Sequence, residues 1–155
     1  MLVLPLSKWH DRDGFDCGNA QLNGWFAQLA RQHKEKGVSS TFVLASTDLS
    51  AEVLGFYAIS MAELVNLDLP VHSRKRLPAK VPVFRLGRLA TSKIQQGKGV
   101  GEFMLFDAID RITRIASEVG GVGLVVNAKP AAVDFYKRYG FEPMADHPLH
   151  LFLPI

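Results

Sequence analysis

Cysteine is scarce in this sequence, since Cys17 is the only one among 155 residues. A single thiol excludes an internal disulfide framework and a zinc site built from several cysteines. The five histidines show none of the spacings at which zinc ligands recur, so the sequence predicts no metal site. These histidines are His10, His33, His72, His147 and His150.

Long apolar runs are also missing. No stretch approaches the roughly 18 apolar residues that a membrane-spanning helix requires. Met1–Leu6 is apolar, but it carries neither the basic segment nor the small-residue cleavage site of a signal peptide. We therefore expect a cytoplasmic protein that has no membrane partner. With 48% hydrophobic and 21% charged residues, the chain is predicted to fold as one domain over residues 1–155.

Acidic residues are absent from Leu69 to Gly101, a segment that holds eight of the 18 lysines and arginines. The formal net charge of the whole chain is only +3, so the distribution is more informative than the total. A concentrated basic surface favours a polyanionic partner such as nucleic acid. The alternative is a solvated loop joined to a site for the phosphates of a cofactor.

Hydrophobic spacing predicts an α+β fold with one curved mixed sheet flanked by helices. Apolar residues recur at helical intervals in Asn19–His33, Phe103–Val119 and Pro130–Tyr139. The predicted strands are Thr41–Ala45, Val53–Ser60, Ala62–Leu67, Val83–Ala90, Val122–Val126 and Leu149–Leu153. A basic, proline-bounded loop is predicted at Pro70–Pro82.

The strongest chemical signal is a glycine-rich turn, Gln96-Gly97-Lys98-Gly99-Val100-Gly101, between a predicted strand and a predicted long helix. Glycines let backbone N–H groups face an anion, and the positive end of a helix dipole adds to that attraction. The turn lacks the spacing of a Walker loop, and no first βαβ unit of a dinucleotide fold surrounds it. The turn predicts a pyrophosphate site, with a purely structural turn as the alternative.

Several segments together resemble one family. The turn Gln96-x-x-Gly99-x-Gly101, the strand Val122–Asn127 and the segment Ala132–Phe141 are similar to the cofactor half of the GNAT (GCN5-related N-acetyltransferase) family. Phe15-Asp16-Cys17-Gly18 and Arg85-Leu86-Gly87-Arg88-Leu89-Ala90 resemble a narrower branch. That branch contains the toxins of bacterial toxin–antitoxin modules that acetylate the amino group of aminoacyl-tRNA.

The resemblance implies acetyl-CoA as the co-substrate. Its pyrophosphate would lie on backbone amides of the turn, and its pantetheine arm in a V-shaped gap between the strands Val83–Ala90 and Val122–Asn127. An amide of Leu89 or Ala90 would polarise the acetyl carbonyl. Asn127 would bind the pantetheine amides, although an asparagine before Lys129-Pro130 also suits a simple turn. The implied cofactor-binding residues are Leu89, Ala90, Thr91, Gln96, Gly97, Lys98, Gly99, Val100, Gly101, Asn127 and Phe135.

Tyr136 is the implied catalytic residue. When an amine attacks a thioester, the expelled thiolate needs a proton, and a phenol with a pKa of about 10 can donate to a thiolate whose conjugate acid has a pKa of about 8.5. The alternative is that Tyr136 packs beside Phe135 as core. Tyr139 shares its helix face but is predicted to be structural. No general base is evident apart from Glu63, which fits a solvated strand residue better. An aminoacyl α-amine, with a pKa of about 8, is partly neutral without such a base.

The predicted acceptor is aminoacyl-tRNA, and the predicted protein partner is a small DNA-binding antitoxin; the branch also allows a homodimer. The residues assigned to nucleic-acid binding are Arg74, Lys75, Arg76, Lys80, Arg85, Arg88 and Lys93. Two other functions stay open. The same fold can acetylate a protein N-terminus, a lysine or a small amine, or it can act as a non-catalytic acyl-CoA-binding regulator. Tyr136 argues against a regulator, because such a protein needs no proton donor.

Overall fold

A computed structural model describes residues 1–155 and contains seven strands and four α-helices. The strands are β1 (Leu2–Pro5), β2 (Ser40–Ala45), β3 (Gly55–Val65), β4 (Lys80–Thr91), β5 (Gly123–Asn127), β6 (Glu142–Pro143) and β7 (His150–Pro154). The helices are α1 (Ala20–Gln28), α2 (Ala30–Glu35), α3 (Val100–Val119) and α4 (Val133–Arg138). Short 3₁₀ turns occupy Asn66–Asp68, Val71–Ser73, Lys93–Gln95 and Pro130–Ala132.

All seven strands belong to one sheet, in the order β1-β2-β3-β4-β5-β7-β6. The pairs β1–β2, β2–β3, β5–β7 and β6–β7 are antiparallel, whereas β4 and β5 are parallel. This mixed sheet confirms the predicted α+β class. No helix is both long enough and apolar enough to cross a membrane.

Backbone contacts divide the chain into two compact units. The first unit comprises Met1–Ser60 and Gly87–Ile109, and the second comprises Met61–Leu86 and Asp110–Ile155. Strands β3 and β4 each contribute residues to both units.

The core of the first unit is aromatic. The rings of Phe26 on α1 and Phe56 on β3 stack with centroids 4.3 Å apart, and both side chains are fully buried. Phe15 packs edge-on against both rings, at 5.2 and 5.4 Å. Asn19 begins α1 as predicted, because its Oδ1 accepts a hydrogen bond from the Leu22 amide. The stacked rings therefore anchor α1 on the sheet.

The core of the second unit is built on β5 and β7. Val125 on β5 pairs with Phe152 on β7, and both side chains are buried against Val83 of β4 and Met144. Gly123 permits this packing, since a Cβ at that position would overlap the Phe152 ring. The continuous apolar run in β5 is typical of a strand buried in the middle of a sheet.

Two predicted boundaries were wrong in the first half of the chain. The single helix Asn19–His33 is two helices, α1 and α2, which are divided at Leu29, where φ is −116° and ψ is −24°. The separate strands Val53–Ser60 and Ala62–Leu67 are one strand, β3, which ends at Val65. No turn residue interrupts β3 near Met61, and half-buried and exposed side chains alternate from Ser60 to the end of the strand at Val65.

Four further elements differ from prediction. The loop Pro70–Pro82 is shorter than predicted, since β4 begins at Lys80 and the Pro82 carbonyl accepts a hydrogen bond from the Val122 amide. The strands β1 and β6 were not predicted. The helix predicted from Pro130 begins as a 3₁₀ turn and becomes α-helical only at Val133.

Candidate active site

The glycine turn lies in the first unit and leads directly into α3. Gly97 and Gly99 both have φ of +78°, a backbone geometry that side chains disfavour. Helix α3 begins at Val100, three residues earlier than predicted, and its first backbone hydrogen bond runs from the Phe103 amide to the Gly99 carbonyl at 3.1 Å. The amides of Val100 and Gly101 therefore belong to the first helical turn, where N–H groups lack intrahelical acceptors.

The two glycines also leave room beside the turn. A Cβ built on Gly97 or on Gly99 would meet no protein atom within 4 Å. Together with the positive end of the α3 dipole, this exposed backbone fits an anionic group. Val100 is buried, while Gln96, Lys98 and both glycines are exposed. The turn is therefore anchored at its helical end and open along its backbone.

Gln96 anchors the other end of the turn. Its Nε2 donates to the carbonyl of Cys17 at 2.9 Å and to the carbonyl of Thr91, at the end of β4, at 3.1 Å. The Lys93 amide also donates to the Asp16 carbonyl at 2.9 Å. These bonds fasten the turn to the loop before α1, a clamp that the spacing of the glycines did not predict.

The loop before α1 is itself held by Asp16. One carboxylate oxygen accepts from the Gly18 amide at 2.8 Å and from the Asn23 carboxamide at 3.0 Å. These hydrogen bonds lower the pKa of the Asp16 carboxyl, with a smaller contribution from Lys93, whose Nζ lies 3.8 Å away. Sequence reasoning noted Asp16 only as part of a family motif, and this network explains why an Asp-x-Gly sequence stands there.

The predicted residues of β4 lie in the same unit as the turn. Ala90 is buried, whereas Leu89 and Thr91 are half-buried. Gly55 on β3 leaves room for Met104 and for the backbone of Ala90, because a Cβ on Gly55 would overlap Met104 and lie 3.0 Å from the Ala90 carbonyl. Of these three residues, Thr91 contacts the glycine turn, since its carbonyl accepts the hydrogen bond from Gln96.

Asn127 and Phe135 lie in the second unit. Asn127 is exposed at the end of β5, where its Oδ1 accepts a hydrogen bond from the Arg85 guanidinium at 3.3 Å. Phe135 is half-buried on α4 and contacts the rings of Tyr136 and Tyr139 edge-on. The Arg85 contact leaves the Asn127 N–H groups available as donors.

Tyr136 is the most buried of the predicted site residues in the second unit, with 8% of its surface exposed. Its ring packs edge-on against Phe135 at 5.2 Å and Phe141 at 5.3 Å. This apolar environment penalises the phenolate and raises the pKa of Tyr136 to about 12. Tyr136 therefore keeps its proton at physiological pH. Tyr139 ends α4, and Gly140 follows with φ +95°, as expected for a C-terminal glycine.

The predicted nucleic-acid residues fall into two groups by their exposure. Lys75, Arg76, Lys80 and Lys93 are exposed, and of these Lys93 also lies 3.8 Å from the Asp16 carboxylate. Arg74, Arg85 and Arg88 are half-buried and have partners within the protein. Arg74 donates to the Leu69 carbonyl at 2.8 Å and so holds its own loop.

Arg88 has a partner that sequence reasoning missed. Its guanidinium lies 4.0 Å from the centre of the Trp25 ring, which is within cation–π distance. Burial lowers the pKa of Arg88 below its ordinary value, although a guanidinium remains charged at neutral pH. No group of three or more His, Cys, Asp or Glu side chains could hold a metal ion.

Comparison with known proteins gives the family. The sequence profile of the acetyltransferase (GNAT) domain matches residues 72–149. A tRNA-acetylating toxin of Mycobacterium tuberculosis (strain ATCC 25618 / H37Rv) is 34% identical over 149 residues, which cover 96% of this chain and 88% of the relative. The chain belongs to the GNAT family of acetyltransferases. The resemblance stated from sequence is confirmed, and acetyl-CoA is the co-substrate of such an N-acetyltransferase.

Solved structures agree with this assignment. A tyrosine-to-phenylalanine variant of the toxin KacT superposes with a TM-score of 0.92 at 28% identity, covering 99% of this chain and 94% of that one. AtaT complexed with acetyl-methionyl-tRNAfMet gives a TM-score of 0.90 at 29% identity, with the same coverage. Further similar structures hold AtaTR with acetyl-CoA (TM-score 0.84) and KacTA with DNA (TM-score 0.82).

We predict that Gly99→Ala weakens acetyl-CoA binding about tenfold, because a methyl group would occupy the open side of the turn. The matched control is Gly37→Ala. Gly37 also has positive φ, at +72°, and also lies in open space, but in the loop after α2. Both variants carry the same backbone strain of about 1–2 kcal/mol. Calorimetric titration with acetyl-CoA checks the prediction, which fails if the two variants bind alike.

We predict that Tyr136→Phe retains acetyl-CoA affinity and loses about 10²–10³-fold in acetyl transfer, because the ring stays and the hydroxyl that donates a hydrogen bond goes. Tyr139→Phe is the control and should transfer acetyl at close to the wild-type rate. Steady-state rates and calorimetric affinities of both variants provide the measurement. A slow Tyr139→Phe beside an active Tyr136→Phe would reverse the assignment.

The raised pKa of Tyr136 adds a test by pH. Since that pKa is about 12, ionisation of Tyr136 should not reduce the wild-type rate as the pH rises through about 10. The pKa of Tyr136 is about 12 in the folded protein and about 10 in the unfolded chain, so protonated Tyr136 favours the folded state. This stabilisation is fully present below about pH 10 and declines as the pH rises towards 12. Ultraviolet absorbance of tyrosinate, compared between wild type and Tyr136→Phe, locates the titration directly.

Proposed function

We propose that this chain transfers the acetyl group of acetyl-CoA to the α-amine of an aminoacyl-tRNA, and that it thereby acts as a toxin that blocks translation. The observation that carries the proposal is the likeness to AtaT complexed with acetyl-methionyl-tRNAfMet, over 99% of this chain at a TM-score of 0.90. The 34% identical tRNA-acetylating toxin supports the same acceptor. The proposal treats residues 1–155 as one domain that works in the cytoplasm, where its substrate is found.

The glycine turn fits the pyrophosphate of acetyl-CoA. Its two positive-φ glycines present the backbone without an obstructing Cβ, and α3 directs its positive end to the same place. We assign pyrophosphate binding to the amides of Gln96–Gly101. Acetyl-CoA, when bound, supplies an acetyl thioester. The amides of Leu89 or Ala90 would polarise its carbonyl, and the predicted gap between β4 and β5 for the pantetheine arm stays a prediction.

Tyr136 would assist departure of the sulfur. The α-amine attacks the acetyl carbon, the carbon–sulfur bond breaks, and the nitrogen releases its proton to water. A thiol has a pKa of about 8.5, well below the pKa of about 12 of Tyr136. Full proton transfer to the thiolate is therefore uphill by the ordinary values. Tyr136 would instead stabilise the developing negative charge by donating a hydrogen bond, and water would supply the proton that remains on the released thiol.

The exposed basic residues would bind RNA phosphates. Lys75, Arg76, Lys80 and Lys93 are the members of the predicted set whose side chains are most available for this role. Arg74, Arg85 and Arg88 already contact the Leu69 carbonyl, Asn127 and Trp25, so loss of these arginines would also disturb the protein.

An antitoxin would neutralise this activity. Support comes from similar structures in which the AtaT toxin is bound to the C-terminus of the antitoxin AtaR, and from the KacTA–DNA complex. We therefore propose a small DNA-binding antitoxin as the protein partner of this chain. A homodimer of the toxin is also part of this proposal.

We predict that labelled acetyl-CoA transfers its acetyl group to aminoacylated tRNA and not to deacylated tRNA. The label should be lost when mild base hydrolyses the aminoacyl ester, because the acetylated amino acid leaves with it. Tyr136→Phe serves as the control for non-enzymatic acetylation. Efficient labelling of a protein or of a small amine, with charged tRNA untouched, would contradict the acceptor and leave the acetyltransferase chemistry in place.

A further inference from the structure

A row of polar side chains lies in the second unit where β5 ends and β7 begins. The Arg85 guanidinium donates to Asn127 Oδ1 at 3.3 Å, and Asn127 pairs with His150 in the register of the two strands. The Ala128 amide donates to the Leu149 carbonyl at 2.8 Å, which makes Asn127 and His150 a pair without backbone hydrogen bonds of its own. In such a pair the side chains are close, with Cβ atoms about 4.5–5.5 Å apart. His150 therefore lies directly beside Asn127.

Strand alternation places His150 on the face of the sheet opposite to α4. His150 and Phe152 share one face of β7, whereas Leu153 lies on the other face. A Cβ on Gly140, just after α4, would lie 3.4 Å from the Leu153 side chain. Helix α4 therefore packs on the face that carries Leu153. Tyr136 on α4 and His150 thus approach the end of β5 from opposite faces of the sheet.

The predicted acetyl site begins beside this row of side chains. The pairing of β4 with β5 ends at Leu86 and Val126, immediately before Asn127. The predicted gap for the pantetheine arm opens from that point. An amine that reaches the acetyl carbon from the face of His150 leaves Tyr136 to the sulfur on the other face. The proton donor and a proton acceptor would then serve different atoms of the reaction.

A carboxylate lies next to the His150 imidazole. Asp146 Oδ2 is 3.7 Å from His150 Nδ1, and the His147 ring stacks on His150 with centroids 4.5 Å apart. The negative charge of Asp146 favours the imidazolium when His150 takes up a proton. Because Asp146 lies on the Nδ1 side, Nε2 is the nitrogen that can contact a ligand. The His150 side chain is 34% exposed, so a substrate can reach it.

The neighbouring strands bring other charged groups to this face. On β6, Glu142 pairs with Phe152, two residues along β7 from His150. The Glu142 carboxylate is itself bound by His72, whose Nε2 lies 2.8 Å away. On β4, the cation of Arg85 is held by Asn127. Asp146 is therefore the carboxylate at ion-pair distance from His150.

We propose that His150 accepts the proton that the α-amine of the acceptor loses when it attacks the acetyl carbon. The inference rests on the proposed function and adds a proton acceptor to it. As the nitrogen–carbon bond forms and the carbon–sulfur bond breaks, the proton on nitrogen passes to Nε2. Asp146 stabilises the imidazolium, which then releases the proton to water. Imidazole suits this step because its ordinary charge change falls between pH 5 and 8.

The test compares His150→Gln with His147→Gln in steady-state acetyl transfer to aminoacylated tRNA. His147 is the matched control, because it is the other ring of the same stack and is more exposed. His150→Gln should lower kcat at neutral pH about 10²-fold, the lower end of what a general base contributes. It should bind acetyl-CoA like wild type in calorimetry. His147→Gln should stay close to wild type in both measurements.

The pH profile separates a base from a histidine with a structural role. A protonated α-amine cannot attack, and a protonated imidazole cannot accept a proton. At the acid end, log kcat/KM of wild type should therefore rise with a slope of about 2 per pH unit, whereas the slope of His150→Gln should be about 1. His150→Asn should give the same slope as His150→Gln, and it takes the place of that variant if His150→Gln fails to fold.

Two results would overturn the inference. One is a slope of about 2 that persists in the His150 variants. The other is an unchanged kcat with a raised KM for tRNA, which would make His150 an RNA contact. If wild type acetylates another amine and leaves charged tRNA untouched, the proposed acceptor alone is rejected. The same slopes, measured with that amine, then judge His150.

Discussion

One side-chain amide, that of Gln96, joins three segments of the first unit. Its Nε2 bonds to the carbonyl of Cys17 in the loop before α1 and to that of Thr91 at the end of β4. The next residues of the turn enter left-handed geometry at Gly97 and Gly99 and then begin α3. Without these bonds, the turn would keep its glycines but lose the constraint that aims its amides in one direction. Preorganisation of this kind reduces the entropy that a ligand loses on binding.

Local patterns predicted the elements that carry this arrangement. Alternation and helical spacing were enough for α3, β5 and the Asn19 cap, because each is determined by its own apolar face or first turn. The break at Leu29 was missed because leucine favours helix, so nothing local marks it. Strand β1 was missed because four residues carry too little periodicity. Its pairing with β2 is a long-range contact that a local pattern does not contain.

In the candidate site, too, some features were predictable from the sequence and others were not. The glycine spacing and the family resemblance pointed to the turn and to Tyr136. Neither could show how the surrounding residues hold the turn or change the pKa of Tyr136. The pKa of Tyr136 follows from burial against Phe135 and Phe141, and the second of these rings lies beyond the helix. Likewise, no charge pattern shows that Arg88 lies over Trp25, far away in sequence. Residue types indicated where the chemistry is expected, whereas the contacts that change the properties of those residues are tertiary and could not be predicted.

The geometry of the glycine turn depends most directly on Gln96, and calorimetry of Gln96→Ala with acetyl-CoA tests this dependence. Gln95→Ala is the matched control, since Gln95 lies in the preceding 3₁₀ turn and its side chain is not part of the clamp. The account predicts that Gln96→Ala binds acetyl-CoA about tenfold more weakly while Gln95→Ala binds like wild type. Equal affinity in the two variants, with both folded, would contradict it.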